Sequence, residues 1–197
     1  TTVGLFSLAA LPYSLKFVWS PFIDRFSLPW LGRRRGWMSL SQAMLLAAIA
    51  SMALATPASG VMLLASLALV VAFLSATQDI AVDAYRTDVL RESEMGAGAA
   101  VAVLGYRIAL LWTGAGALIL ADLMSWPAVY VVMAATMLVG LAASIRSPEP
   151  EDPGKPPASL TDAIWKPFAE FARRLGVGRA ALVLAFVALY KLGDALV

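Results

Sequence analysis

The chain has 197 residues, of which 60% are hydrophobic and 14% are charged, and its mean hydropathy is +0.78. This composition excludes an ordinary soluble domain, in which about a quarter of the residues are charged. Cys and His are both absent, which excludes structural disulfides and the zinc or haem sites that use those ligands, so we expect no metal and no cofactor.

Six apolar stretches are long enough to be membrane spans. A helix rises 1.5 Å per residue and the hydrocarbon core is about 30 Å thick, so a span needs about 20 apolar residues. Lipid offers backbone groups no hydrogen-bond partner, so the spans must be helices. The chain is therefore predicted to be an all-α membrane protein with spans near 1–23, 38–57, 60–84, 97–121, 127–145 and 179–197.

The distribution of Lys and Arg orients these spans. Twelve of the 15 basic residues flank alternate ends of the spans, whereas the opposite connections at 57–60 and 122–127 contain none. Cytoplasmic connections carry the excess of positive charge, so the first span is predicted to run from outside to inside. The basic pI of 9.1 then reflects membrane topology, and no nucleic-acid partner is expected.

The connection after the fifth span is much longer than the others. Its first part, 147–157, is Pro-rich and charged, which is typical of a solvated linker. Its second part has apolar residues at helical spacing with basic residues between them, which predicts an amphipathic helix in the inner membrane interface. A simple tether between two bundles is the alternative.

We therefore divide the chain into three parts. An N-terminal transmembrane bundle occupies 1–145, a cytoplasmic linker with the amphipathic helix occupies 146–178, and the first helix of a C-terminal bundle occupies 179–197. The last helix is expected to be truncated, so the chain is expected to be a fragment that lacks material at both ends.

Charged residues lie inside the predicted spans as well as beside them. An ion in hydrocarbon costs about 2.5–3.5 kcal/mol on insertion scales, so such residues pair or line a polar pathway. They are Lys16, Asp79, Asp83, Arg107, Lys191 and Asp194. The set predicts a route for a polar solute, with fixed ion pairs that only lock helices together, such as Lys16 with Asp79, as the alternative.

The connection after the first span carries Asp24 and Arg25, followed by Gly32-Arg33-Arg34-Arg35-Gly36-Trp37. This pattern resembles the Asp-Arg…Gly-Arg-Arg signature between the second and third helices of the major facilitator superfamily, with an insertion at 27–31. The resemblance implies a helical bundle of that superfamily, of which the chain would cover about six transmembrane helices. We predict that Asp24, Arg25 and Arg33–Arg35 form a loop that controls conformational exchange; a role in topology alone is the alternative.

Further runs resemble a narrower family, the AmpG muropeptide permeases. They are Gln78-Asp79-Ile80-Ala81-Val82-Asp83-Ala84-Tyr85-Arg86, Leu104-Gly105-Tyr106-Arg107 and Tyr190-Lys191-Leu192-Gly193-Asp194. The resemblance implies a multi-pass permease of the bacterial inner membrane, not an enzyme, that imports N-acetylglucosaminyl-1,6-anhydro-N-acetylmuramyl peptides together with protons. Such import serves peptidoglycan recycling and, in some bacteria, β-lactamase induction. We expect the protein to be a monomer.

The polar residues of the spans suit such a substrate. Cations bind its carboxylates, amide and hydroxyl groups bind its sugars and amides, an aromatic ring stacks on a sugar, and a carboxylate carries the proton. The predicted substrate-binding residues are Lys16, Gln78, Tyr106, Arg107, Trp112 and Lys191, and the predicted proton-coupling residues are Asp79, Asp83 and Asp194.

Three other functions remain open. Acetyl-coenzyme A transporters, or carriers of another anionic solute, share part of the pattern. An intramembrane aspartyl protease is suggested by Leu192-Gly193-Asp194, but the chain lacks the Gly-x-Gly-Asp form, and Lys191 would keep Asp194 ionised. A sensor or scaffold without transport is the third, because a fold does not by itself imply a function.

Overall fold

The computed structural model describes residues 8–28, 31–55, 61–150 and 159–195. All regular elements in these residues are helical, which confirms the all-α prediction. The α-helices are α1 Leu11–Leu15, α2 Ser20–Arg25, α3 Arg33–Met52, α4 Val61–Val89, α5 Met95–Leu111, α6 Ala117–Leu123, α7 Trp126–Arg146, α8 Leu160–Leu175 and α9 Val177–Ala195.

Three helical segments are long and apolar enough to cross a membrane: Met62–Val89, Glu92–Leu123 and Trp126–Arg146. They correspond to the predicted spans at 60–84, 97–121 and 127–145. The helices at Leu8–Val18 and Val177–Leu189 are apolar but shorter. The spans at 1–23, 38–57 and 179–197 therefore stay predictions, and residues 1–7 of the first lie outside the described residues.

The predicted first span, which we call the first membrane segment, is not one continuous α-helix. Short 3₁₀ turns at Leu8–Ala10 and Lys16–Val18 flank α1, and α2 follows as a separate helix. Pro12 and Pro21 lie in the first turns of α1 and α2, where a missing N–H breaks no helical hydrogen bond. Lys16 consequently lies at a break in the helix, on a segment that packs against α4.

Helix α3 occupies the middle of the bundle, between α4 and α7. Its polar residues Ser39, Ser41 and Gln42 are buried, and the Ser41 hydroxyl donates to the Trp37 carbonyl at 2.8 Å. Packing against α4 and α7 buries these residues, although the Ser39 Oγ and the Gln42 Oε1 have no hydrogen-bond partner among the described residues. This position explains why α3 is less apolar than the three spans above.

Helices α5 and α6 are joined by a π-helical turn at Trp112–Gly116, so helical structure runs without interruption from Met95 to Leu123. The Trp112 ring lies over Gly116, where a Cβ would come within 3.0 Å of the ring. No side chain of α5 is buried by the part of the chain that the structure describes.

Residues 156–197 form a compact unit of their own, separate from the unit at 1–155. In it α8 packs against α9. The Ser159 hydroxyl accepts the Asp162 N–H at 3.0 Å and caps α8, and Gly176, with φ of +77°, ends it. Pro167 lies inside α8, which continues past it. The three-part division of the chain stays a prediction.

The predicted topology can be tested with single cysteines in the full-length protein. Met124 lies in the turn between α6 and α7, and Glu92 in the turn between α4 and α5. Because these turns are predicted to lie on opposite sides, Met124→Cys should react with an impermeant maleimide in intact cells, and Glu92→Cys only after permeabilisation. Equal reactivity of both in intact cells would contradict the topology.

Candidate functional site

A groove of about 510 Å³ lies between α4 and α5. The wall from α5 consists of Ala102, Val103, Gly105, Tyr106 and Ala109, and the wall from α4 consists of Gln78, Asp79, Val82, Asp83 and Arg86. Residues three and four apart share one helix face, so each wall is a single stripe. The small residues of α5 leave room opposite the polar stripe of α4. The groove brings together four of the predicted site residues, Gln78, Asp79, Asp83 and Tyr106.

Two polar contacts join the first membrane segment to α4 beside this groove. The Lys16 Nζ lies 3.7 Å from the Asp79 Oδ2, and the Tyr13 hydroxyl donates to the Ser75 Oγ at 2.8 Å. The side chains of Lys16 and Asp79 are 37% and 49% exposed, so the pair is accessible to a ligand. Lys16 and Asp79 were predicted site residues, whereas Tyr13 and Ser75 lie on the same helical stripes but were assigned no role in the site.

The second carboxylate of the groove, Asp83, pairs with Arg86 at 3.2 Å. From the sequence, Arg86 was counted among the basic residues that orient the spans, and Arg107 was expected to be the second cation beside the carboxylates. Arg107 is exposed and is not among the residues that line the groove. It follows Tyr106 by one residue, a rotation of about 100° around the helix axis, and therefore lies off the stripe that faces α4.

The other predicted site residues lie elsewhere. Trp112 is in the π-helical turn with its ring over Gly116, and it does not line the groove. Lys191 and Asp194 are in α9, and their side chains lie outside the described residues.

One acceptor in the groove lacks a donor. The Gln78 Oε1 is buried and has no hydrogen-bond partner among the described residues. An unsatisfied buried acceptor costs about 1–3 kcal/mol, so a ligand N–H or O–H group that reached it would be bound favourably. The groove is thus lined by one cation, two carboxylates, a phenol and a free amide acceptor, and Lys16 lies beside it, paired with Asp79.

A second polar cluster, the inner cluster, lies at the predicted inner end of the bundle and centres on Arg34. This guanidinium is buried, and it donates to the Asp24 Oδ1 at 2.6 Å and to the Asp88 Oδ2 at 2.5 Å. Arg34 thereby ties α2, α3 and α4 together. Hydrogen bonds between ionised groups are stronger than neutral ones, which suits a cation held out of water.

The neighbouring arginines also contact protein groups. The Arg35 guanidinium donates to the carbonyls of Ser144 and Ile145 near the end of α7, where a cation complements the helix dipole. The Arg33 Nη1 donates to the Asp24 carbonyl at 3.4 Å. These contacts show that Arg33 and Arg35 join helices, a role beyond the predicted one in topology.

The structure corrects the prediction that these residues form a loop. Asp24 and Arg25 end α2, and Arg33–Arg35 form the first turn of α3, so the connection itself is 26–32. Gly32, with φ of +79°, begins α3 and forms an isolated bridge with Leu28. A left-handed glycine lets the chain turn sharply into the helix, which therefore starts five residues before the predicted span.

The beginning of the linker after α7 is fixed to this cluster. The Tyr85 hydroxyl donates to the Pro148 carbonyl at 2.8 Å. The Glu149 carboxylate lies so close to Gly32 that a Cβ there would overlap it. The positive φ of Gly32 therefore favours glycine at this position, and a Cβ there would also require the Glu149 carboxylate to shift.

Comparison with known proteins gives the family. The Major Facilitator Superfamily model matches residues 1–192. The chain belongs to the major facilitator superfamily. As expected of this superfamily, it is a multi-pass membrane protein, and in bacteria such proteins lie in the inner membrane.

Several known proteins are similar to the chain in sequence. Identity is 46% over 195 residues to the anhydromuropeptide permease of Escherichia coli strain K12, covering 98% of this chain and 39% of that protein. It is 40% over 194 residues to an uncharacterized protein of Haemophilus influenzae, covering 98% and 46%. It is 35% over 205 residues to the putative transporter AmpG 4 of Rickettsia felis, covering 98% and 49%. The chain thus spans less than half the length of these relatives.

Gly32 provides a test of the inner cluster. Gly32→Ala should lower the unfolding temperature of the purified full-length protein, because a left-handed alanine costs of order 1–3 kcal/mol and its Cβ would displace Glu149. Gly96→Ala is the matched control, since Gly96 is helical with open space around its Cα. Equal thermal shifts for the two variants would contradict the backbone strain assigned to an alanine at position 32.

Proposed function

We propose that the full-length protein is a proton-coupled permease that imports anhydromuropeptides from the periplasm to the cytoplasm for peptidoglycan recycling. The observation that carries the proposal is the groove between α4 and α5, where Asp83 pairs with Arg86 within α4 and Asp79 pairs with Lys16 from the first membrane segment. The 46% identity to an anhydromuropeptide permease supports the substrate.

The groups of the groove match the groups of such a substrate. Peptide carboxylates need cations, which Lys16 and Arg86 supply. Sugar hydroxyls and amide N–H groups need acceptors, and the free Gln78 Oε1 is one. Tyr106, which is 66% exposed, adds a hydroxyl donor. Arg107, Trp112 and Lys191 keep their proposed roles in substrate binding.

Proton coupling follows from competition for a cation. Each carboxylate of the groove has a counter-ion, Asp79 with Lys16 and Asp83 with Arg86, so the four groups together are neutral. An anionic substrate that binds Lys16 displaces Asp79, which then accepts a proton and restores neutrality. Substrate and proton would then move together, with Asp83 and Asp194 as the other candidate proton carriers.

The substrate assignment is tested by uptake into vesicles that contain the full-length protein. Labelled anhydromuropeptide should accumulate when an inward proton gradient is imposed, and excess unlabelled anhydromuropeptide should abolish the signal. Coenzyme A esters should not compete. Gradient-driven uptake of a labelled coenzyme A ester without uptake of muropeptide would assign the protein to a different anionic solute, and no gradient-driven uptake of either would contradict transport.

The role of Asp79 is tested separately. Asp79→Asn should abolish accumulation driven by a proton gradient yet retain substrate counterflow, because the amide cannot carry a proton but leaves the cation in place. Asp122→Asn, the same change at an exposed carboxylate of α6, is the control and should accumulate normally. Accumulation by Asp79→Asn would move the proton role to Asp83 or Asp194.

The inner cluster is proposed to control the exchange between conformations. Asp24→Asn removes one of the two carboxylates that hold Arg34, so turnover should fall at least several-fold while substrate affinity stays within about twofold. Asp162→Asn, which breaks an exposed pair with Lys166 in α8, should leave turnover unchanged. A loss of affinity at normal turnover would show that Asp24 serves binding.

A further inference from the structure

Helix α8 carries an apolar face that the described part of the protein leaves uncovered. Ile164, Trp165, Phe168 and Leu175 are 46%, 67%, 53% and 40% exposed, although α8 also packs against α9. They recur at helical spacing, so they form one continuous stripe. A stripe of this kind, including two aromatic rings, marks an interaction surface rather than a face that remains in water.

Helix α8 carries more positive charge towards its C-terminal end. Lys166 is paired with Asp162 at 3.1 Å, and Arg174 is paired with Glu170 at 2.6 Å. Arg173 adjoins the second pair, and Arg179 follows in the first turn of α9. Among the described side chains of residues 159–189, neither Arg173 nor Arg179 forms an ion pair. The junction of α8 and α9 therefore has a positive charge that its own carboxylates do not balance.

The connection to α9 places this charge close to the bilayer. Gly176 is the single residue between α8 and α9, and Val177–Leu189 is apolar. As the sixth predicted span, α9 enters the membrane from its basic, inner side. A one-residue connection keeps the last turn of α8 beside that entry point, at the level of the lipid headgroups.

We propose that α8 lies along the inner leaflet and binds anionic phospholipid. Its apolar stripe inserts between the headgroups and the acyl chains, and Arg173, Arg174 and Arg179 contact lipid phosphates. The occupant is an anionic lipid surface because one element combines exposed aromatic rings, unbalanced positive charge and direct continuity with a membrane helix. This surface is independent of the substrate groove and would anchor the linker between the two halves of the transporter.

Spin labels on single cysteines of the full-length protein, in a background without other cysteines, test the insertion. In vesicles of phosphatidylcholine with phosphatidylglycerol, a label at Phe168→Cys should collide with oxygen and avoid a water-soluble nickel chelate. Glu170→Cys, on the charged side of α8, should show the reverse. The oxygen-to-nickel collision ratio should be several-fold higher at 168 than at 170. Free access of nickel to both positions, or exclusion of both reagents at 168, would overturn the proposal in favour of a solvated tether or a protein contact.

The lipid specificity has its own readout. Removing phosphatidylglycerol should lower the collision ratio at 168, and the combined variant Arg173→Gln, Arg174→Gln and Arg179→Gln should abolish this lipid dependence. Lys166→Gln is the matched control, since Lys166 is already paired with Asp162, and it should keep the dependence. A ratio that does not change with phosphatidylglycerol in the unaltered protein would refute the anionic-lipid site.

Discussion

Ionised side chains on a membrane-crossing helix need counter-charges, and α4 carries Asp79, Asp83 and Arg86 on one face of a 29-residue helix. Hydrocarbon cannot solvate them, and each would cost about 2.5–3.5 kcal/mol on insertion scales. Asp83 and Arg86 neutralise each other within α4, but Asp79 depends on Lys16 from the first membrane segment. The electrostatic requirement that draws this segment to α4 also leaves a polar groove in an apolar protein.

The same requirement organises the inner end of α4. Asp88 lies nine residues after Asp79, about 14 Å along the helix axis, and shares Arg34 with Asp24. Removing one partner of a buried charge is costly, often about 3–5 kcal/mol, so Arg34 holds three helices in one arrangement unless the carboxylates move together. A single helix therefore carries both the groove and the cluster proposed to control conformational exchange, so a displacement of α4 would affect both.

The sequence predicted three of the membrane helices, and part of the candidate site. Apolar length located α4, α5 and α7, and the stripe that contains Asp79 and Asp83 was recognisable from spacing alone. The position of a residue along a span does not show which side of the helix it occupies. Arg107 was therefore expected in the groove, but its neighbour Tyr106 lines the groove instead. No local sequence pattern marked Asp88 or Glu149, because they contact Arg34 and Gly32 only when the chain is folded. The start of α3 was placed too late because three arginines resemble a solvated loop.

The central claim is that substrate and Asp79 compete for Lys16, and a double-mutant cycle on substrate affinity tests it most directly. Binding of labelled anhydromuropeptide would be measured for the unaltered full-length protein, Asp79→Asn, Lys16→Gln and the double variant. The account predicts that Asp79→Asn frees Lys16 and tightens substrate binding about tenfold, which corresponds to about 1.4 kcal/mol. In a protein that also carries Lys16→Gln, Asp79→Asn should bring no such gain. If Asp79→Asn changed affinity by the same factor with and without Lys16, the two residues would act independently and the account would be contradicted.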